Sequence, residues 1–167
     1  LDPDPGLGEV HKQVLTKQDN RVNWILNIAS GTFTPGPTET TPEAESSTNT
    51  LTNGARILDC SACSGGKSIG YIGGPPGGTL TFANVTSTVA GMTTIRIAYV
   101  NGDSTQRYAN VSVNGVGGVV AFVPTVGGTP MSSAWTVELK KGVNVVRFEG
   151  VNGGWGPDID RLMVPVS

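Results

Sequence analysis

The chain has 167 residues, of which 24 are glycine and 14% are charged, and its formal net charge is −2. That length supports one domain with a real core plus a tail or linker. The eleven Lys and Arg residues are scattered, which argues against a nucleic-acid partner because phosphate backbones are bound by clustered cations. No apolar run approaches the ~20 residues that a membrane-spanning helix needs, so no membrane partner is expected.

In chain order, residues 1–31 differ in character from the rest. Val10 to Ile28 carries the only helical spacing, yet Val22, Trp24, Leu26 and Ile28 also alternate as a strand would. The segment reads as the end of a preceding domain or as an arm that docks on the next one. Any secretory leader is expected to have been removed or to lie upstream. Residues 32–42, rich in Thr and Pro, read as an extended linker.

From Glu43 to the end at residue 167 the pattern is that of strands. Leu80-Thr81-Phe82, Ile95 to Tyr99 and Trp135 to Leu139 alternate between apolar and polar. Val111 to Val113 runs into Asn114-Gly115, a strong hairpin dipeptide, and Val119 to Val123 returns. Lys141-Gly142 marks another turn before Val143 to Phe148, where a phase shift at Val145-Val146 predicts a bulge. Ile159 to Val164 is the closing strand. Strands of about five residues with turns every 8–12 predict an all-β fold, a β-sandwich jelly roll.

Cys60 and Cys63 are the only cysteines. A C-x-x-C can be a redox pair or half a zinc site. Ser64-Gly65-Gly66 opens no helix for the first, and no further soft ligands are near for the second, so elimination leaves a small structural disulfide. Asn84-Val85-Thr86 and Asn110-Val111-Ser112 are acceptable N-glycosylation sequons. Together these marks predict a secreted, extracellular glycoprotein, expected as a monomer.

Catalytic constellations are missing. The one histidine, His11, lies outside the 43–167 module, so a Ser-His-Asp arrangement has no imidazole there. Gly66-Lys67-Ser68 resembles the end of a phosphate loop, but Ser61 stands where the earlier glycine belongs. A two-carboxylate glycosidase remains a third-ranked alternative, behind a structural accessory sandwich that packs on a catalytic domain without binding sugar.

Two acidic segments stand out. Glu43 and Glu45 share a strand face, and Asp158 and Asp160 lie in Gly153 to Arg161, which leads into the last strand. First and last strands of a jelly roll commonly meet, which would gather Glu43, Glu45 and Asp160 at one point, where like charges require a cation. Carboxylate and carbonyl oxygens suit Ca²⁺. A solvated acidic edge partnered by Arg161 is the plainer alternative.

Glu43-Ala44-Glu45, Cys63 to Gly73, Asn101 to Arg107, Val113-Asn114-Gly115 and Gly154-Trp155-Gly156-Pro157-Asp158-Ile159-Asp160-Arg161, in that order, resemble family 35 carbohydrate-binding modules, with family 6 close behind. The wording is similar to fungal modules appended to glycoside hydrolases, and the likeness covers about residues 43–166. It implies a jelly roll with structural calcium held by Glu43, Glu45, Asp160 and backbone oxygen from the Lys67 region. It also implies a sugar site among loops at one end of the sandwich, on the loop of Trp155 and Asp158, with Asn152, Asn101 and Arg107 as neighbours.

The residue chemistry agrees with that likeness. An indole offers contact area to the C–H face of a sugar ring, and a carboxylate accepts bonds from adjacent hydroxyls. Tyr71 stands either in the core or at the site mouth, and Trp135 belongs to the core. Asp103 reads as a turn residue. The expected function is non-catalytic: polysaccharide binding that holds an attached catalytic domain on its substrate. Neutral galactose- or mannose-type sugars are favoured, because Asp158 would repel a uronate.

Overall fold

The computed structural model describes residues 24–27, 32–35 and 38–166. The chain divides into two units, residues 1–38 and 39–167. In the first, β1 (Trp24–Asn27) and β2 (Thr32–Pro35) form an antiparallel pair with Trp24 opposite Pro35. Of the two periodicities read over Val10 to Ile28, the strand holds at 24–27, and the rest of that segment lies outside the described residues. In the stretch read as linker, Thr38–Thr40 is a strand, β3, and Glu39 already belongs to the second unit, where it pairs with Arg96.

The second unit is a sandwich of two antiparallel sheets. Three short strands, β4 (Thr50–Thr52), β5 (Arg56–Asp59) and β6 (Lys67–Gly70), precede the long ones. These are β7 (Thr79–Ser87), β8 (Gly91–Val100), β9 (Arg107–Val113), β10 (Val116–Phe122), β11 (Met131–Leu139), β12 (Gly142–Gly150) and β13 (Asp158–Val166). One sheet runs β10-β9-β12-β7-β4 and the other β11-β8-β13-β6-β5, with β3 added along β13. Among the described residues there is no α-helix, only a 3-10 turn at Ser64–Gly66. The all-β jelly-roll expectation holds.

Alternation accounts for the packing. On β9, Ala109, Val111 and Val113 point inward while Tyr108 and Asn110 face out. Facing residues from both sheets form one core, including Phe82 against Phe148 and Tyr99 edge-on to Phe122 at 4.8 Å. Trp135 packs against this core and is partly buried. The β9–β10 hairpin turns on Asn114 (φ 51°) and Gly115 (φ 86°), the pair of positive φ values that a two-residue type I′ turn demands. A bulge does interrupt the β12–β7 pairing between Asn144 and Val146, but its extra residue is on β7 and not on β12 as expected: Ala83 and Asn84 together face Val145, and β12 alternates regularly. Asn144 is fully buried there, its amide nitrogen donating to the Lys140 carbonyl at 2.9 Å and its oxygen accepting from the Asn114 amide at 2.8 Å.

Candidate functional site

Both candidate sites hang on the start of β13. Ile159 pairs with Tyr99 and Arg161 with Ala98, so Asp160 is the extra residue of a bulge. The Asp160 side chain, 2 % exposed, accepts the Ser64 backbone N–H at 3.0 Å. The Ser64 hydroxyl in turn donates to Glu43 Oε1 at 2.6 Å. Glu43 bridges to Arg161 across strands, and Ala44 N–H donates to the Asp160 carbonyl. The chain at Glu43 does meet the last strand and brings Glu43 and Glu45 near Asp160, but not as a strand: Glu43 is an isolated bridge partner of Arg161 and Ala44-Glu45 form a turn, so the two glutamates do not share a strand face.

Burial pushes the Asp160 carboxyl above its ordinary pKa and the Glu43 charge adds to this; Arg161 and the Ser64 N–H oppose it, and Glu45 raises it further. The side chains as they stand do not form a closed cage: among the described residues no three His, Cys, Asp or Glu groups are placed to hold a metal ion. Three features nevertheless fit a hard cation. Glu43 Oε2 and Glu45 Oε2 are buried without a hydrogen-bond partner. Gly65 (φ +60°) makes room for Glu45, since a Cβ there would lie 2.4 Å from its Oε1. Arg161 makes no ion pair of hydrogen-bonded length with these carboxylates; its Nη1 reaches only the Ser64 hydroxyl, at 3.4 Å. Lys67 can offer the cluster only backbone, because its Nζ points to Asp59 at 2.5 Å. The neighbouring Cys60 and Cys63 form the expected disulfide.

At the loop end the geometry is open. Trp155 is 42% exposed and Tyr71 43%, and their rings meet edge-on at 5.8 Å with an interplanar angle of 88°. The Arg56 guanidinium sits 3.7 Å above the Tyr71 ring, a cation–π contact. The indole rests directly on the Gly74 backbone: a Cβ there would fall 2.4 Å from the ring. Two backbone hydrogen bonds fasten this loop to its neighbour: Gly74 N–H donates to Gly154 O at 3.0 Å and Gly156 N–H donates to Ile72 O at 2.8 Å, which together make the Gly73–Trp155 bridge. The indole therefore stands on a braced support.

Beside Trp155 lies a depression of about 350 Å³, bounded by Asp103, Gln106, Arg107, Tyr108 and Asn152. Arg107 is fixed by Asp103 Oδ2 at 2.8 Å and by the Gly156 carbonyl at 3.0 Å. Asp158 pairs with Val100, and its Oδ1 lies over Gly70, where a Cβ would be 2.8 Å away. Burial raises its pKa and the Arg107 charge opposes the rise. Its carboxylate makes no protein hydrogen bond among the described residues, so it keeps its acceptor capacity for a hydroxyl.

One expectation is corrected. Asn101 is fully buried, and its amide nitrogen donates to the Thr105 and Phe122 carbonyls at 3.0 and 2.9 Å, while its oxygen accepts from Asp103 N–H. It cannot touch a ligand; it shapes the loop that presents Arg107. Asn152 (φ 50°) is exposed at the rim of the depression, as expected. Gln106 belongs to the Asn101 to Arg107 segment already placed beside the site, whereas Arg56 was missed by sequence reasoning. Arg56 carries no local signal, since only its cross-strand pairing with Gly70 brings it beside Tyr71. Among the described residues no helix is long and apolar enough to cross a membrane.

Residues 79–164 match the family model described as a CBM13-like domain of an alpha-galactosidase. A family 35 carbohydrate-binding module from Clostridium thermocellum is 32% identical at a TM-score of 0.70, the match covering 75% of this chain and 98% of that one. An exo-β-1,3-galactanase from Phanerochaete chrysosporium, solved with β-1,3-galactotriose, is 33% identical at a TM-score of 0.71 over 84% of this chain. The match spans 32% of that enzyme's length. A family 35 module from Paenibacillus barcinonensis shares the fold at 23% identity and a TM-score of 0.66, covering 77% of this chain and 99% of its own. No curated protein matches the chain.

Proposed function

This chain belongs to the family 35 carbohydrate-binding modules, a non-catalytic class that binds sugar, and from that premise we propose that it holds an attached glycoside hydrolase on galactose-containing polysaccharide. The observation that carries the reading is the half-exposed indole of Trp155 on its braced loop, with the unbonded Asp158 carboxylate and the Arg107 depression nearby. A pyranose laid on the ring would bury its C–H face there and direct hydroxyls to the flanking carboxylate and guanidinium.

Galactose is preferred over mannose because the matching family model is named for an alpha-galactosidase and the matching exo-β-1,3-galactanase was solved with β-1,3-galactotriose. Affinity for one unit is expected at ~0.1–1 mM, roughly −4 to −5.5 kcal/mol, because hydroxyls exchange water for protein. Tethering an enzyme to the polymer raises its effective concentration there even at that affinity.

The carboxylate cluster is proposed to hold Ca²⁺ through Glu43, Glu45, Asp160 and backbone oxygen near Lys67. When bound, the ion would neutralise the charges that the Glu43 to Glu45 segment and the last strand bring together. Secretion is part of the proposal, supported by the disulfide and the sequons. Affinity electrophoresis through gels containing β-1,3-galactan, galactomannan or polygalacturonate tests the function. Retardation by the galactose polymers supports it. Retardation by the uronate alone would refute the sugar preference, and free migration in all three would favour a sandwich that only packs on its enzyme.

A further inference from the structure

Most asparagines of the sandwich are used internally. Asn49, Asn53, Asn101, Asn114 and Asn144 all donate their side-chain amide to protein oxygens. Asn84 and Asn110 are exposed and make no side-chain hydrogen bond among the described residues, and each opens an Asn-x-Thr/Ser triplet. Asn152 is also without such a bond, but glycine stands two residues on. Of the three sandwich amides without an internal partner among the described residues, two therefore open a sequon.

Their placement is shared. Asn84 lies on β7 and Asn110 on β9, the two strands that flank β12. Asn110 is opposite Glu149, and the pairings of Phe82 with Val146 and Val85 with Asn144 set Asn84 beside Val145. Val85 next to Asn84, and Ala109 and Val111 on either side of Asn110, point into the core, and Asn84 and Asn110 are themselves exposed, the β7 irregularity having reset the phase after Phe82; both amides therefore emerge from the outer face of the five-stranded sheet. Two strand spacings across and about four residues along put them roughly 16 Å apart. On that face Val119, the cross-strand partner of Asn110, is exposed, and so are Tyr108 and Val145.

We propose that Asn84 and Asn110 are N-glycosylation sites and that their glycans together cover the outer face of the five-stranded sheet, leaving the Trp155 loop end open. The donor is a polyprenyl-pyrophosphate-linked oligosaccharide. The amide nitrogen forms a bond to the anomeric carbon, the carbon–oxygen bond to pyrophosphate breaks with its electron pair leaving on the pyrophosphate, and the amide proton passes to a base of the transferase. The fold tolerates the product because no protein hydrogen bond is lost at either side chain. Tyr108, which also lines the depression, marks where the covered face ends.

The test uses the full chain secreted from a eukaryotic host. Enzymatic release of N-glycans in heavy-oxygen water should leave the isotope mark at Asn84 and Asn110, and each mark should disappear in N84Q and N110Q respectively. Hydroxyl-radical footprinting of the folded protein before and after release should then show labelling of Tyr108 and Val119 rising on deglycosylation, with Trp155 unchanged. Absence of the mark at either asparagine overturns the modification claim. An increase at Trp155 equal to that at Tyr108 overturns the assignment to one face.

Discussion

Asp158 and Asp160 stand two residues apart on one strand and serve different regions. In a regular strand they would share a face, but Asp160 is the bulged residue and turns toward Ser64 and Glu43. Asp158 keeps strand register and faces Gly70 and the Arg107 charge at the loop end. The Asp160 region faces inward, with Asp160 buried and one shielded carboxylate oxygen from each of Glu43 and Glu45. The Asp158 region is open, with two aromatic rings and an unbonded acceptor at the surface. One inserted residue thus divides a pair of like side chains between holding the strands together and meeting a ligand.

Metal removal should separate the two regions by the largest margin. Chelation is expected to lower the melting temperature and added Ca²⁺ to restore it, with a stabilisation of ~2.7 kcal/mol at a hundredfold excess over Kd. Asp160→Asn should abolish that response and, in chelator, should melt no lower than the wild type, because it removes a buried charge that its neighbours disfavour. Asp158→Asn should keep the response. Equal loss in both variants, read by calorimetry, would erase the distinction.

Sugar affinity should show the reverse. Asp158→Asn is expected to weaken binding to galactan oligosaccharides by about 2 kcal/mol, ~30-fold, the scale of a hydrogen bond to a charged group. Titration calorimetry checks this with the calcium response intact as the fold control.

The smallest effect concerns pH. A carboxyl whose folded pKa is raised contributes stability that is fully present below its unfolded pKa and is lost as pH rises through the folded one. Asp158 therefore penalises the folded state at neutral pH, and the penalty fades on acidification toward pH ~4. Asp59, held low mainly by its hydrogen bond to Lys67, pulls the other way, so the readout is the difference between wild type and Asp158→Asn in chelator. That difference should shrink as pH falls; one independent of pH would contradict the burial of Asp158.

Much of the sandwich was legible because its long strands carry local signals. Alternation marks β7, β8 and β11, and Asn114-Gly115 marks a turn that needs two positive φ values, whereas the apolar pair Val145-Val146 pointed to the wrong strand, since a valine can also stand on the exposed face and the extra residue of the bulge is on β7. The short strands β4, β5 and β6 hold three or four residues each, too few for a period to emerge. The approach of Glu43 to the last strand was legible, but the turn at Ala44-Glu45 that carries Glu45 to the cluster was not, because two glutamates spaced by one residue look the same on a strand and on a turn. The burial of Asn101 did not, because an asparagine in an Asn-Gly-Asp loop looks the same whether its amide faces water or the carbonyl of Phe122, 21 residues away. Arg56 was invisible for a related reason, since its neighbours are set by cross-strand register.

The most direct test of the loop end is Trp155→Ala titrated against β-1,3-galactan oligosaccharides beside the wild type. The account predicts that binding falls below detection while the melting temperature, set by a core this half-exposed ring does not enter, changes little. Unchanged affinity in a folded variant would contradict it.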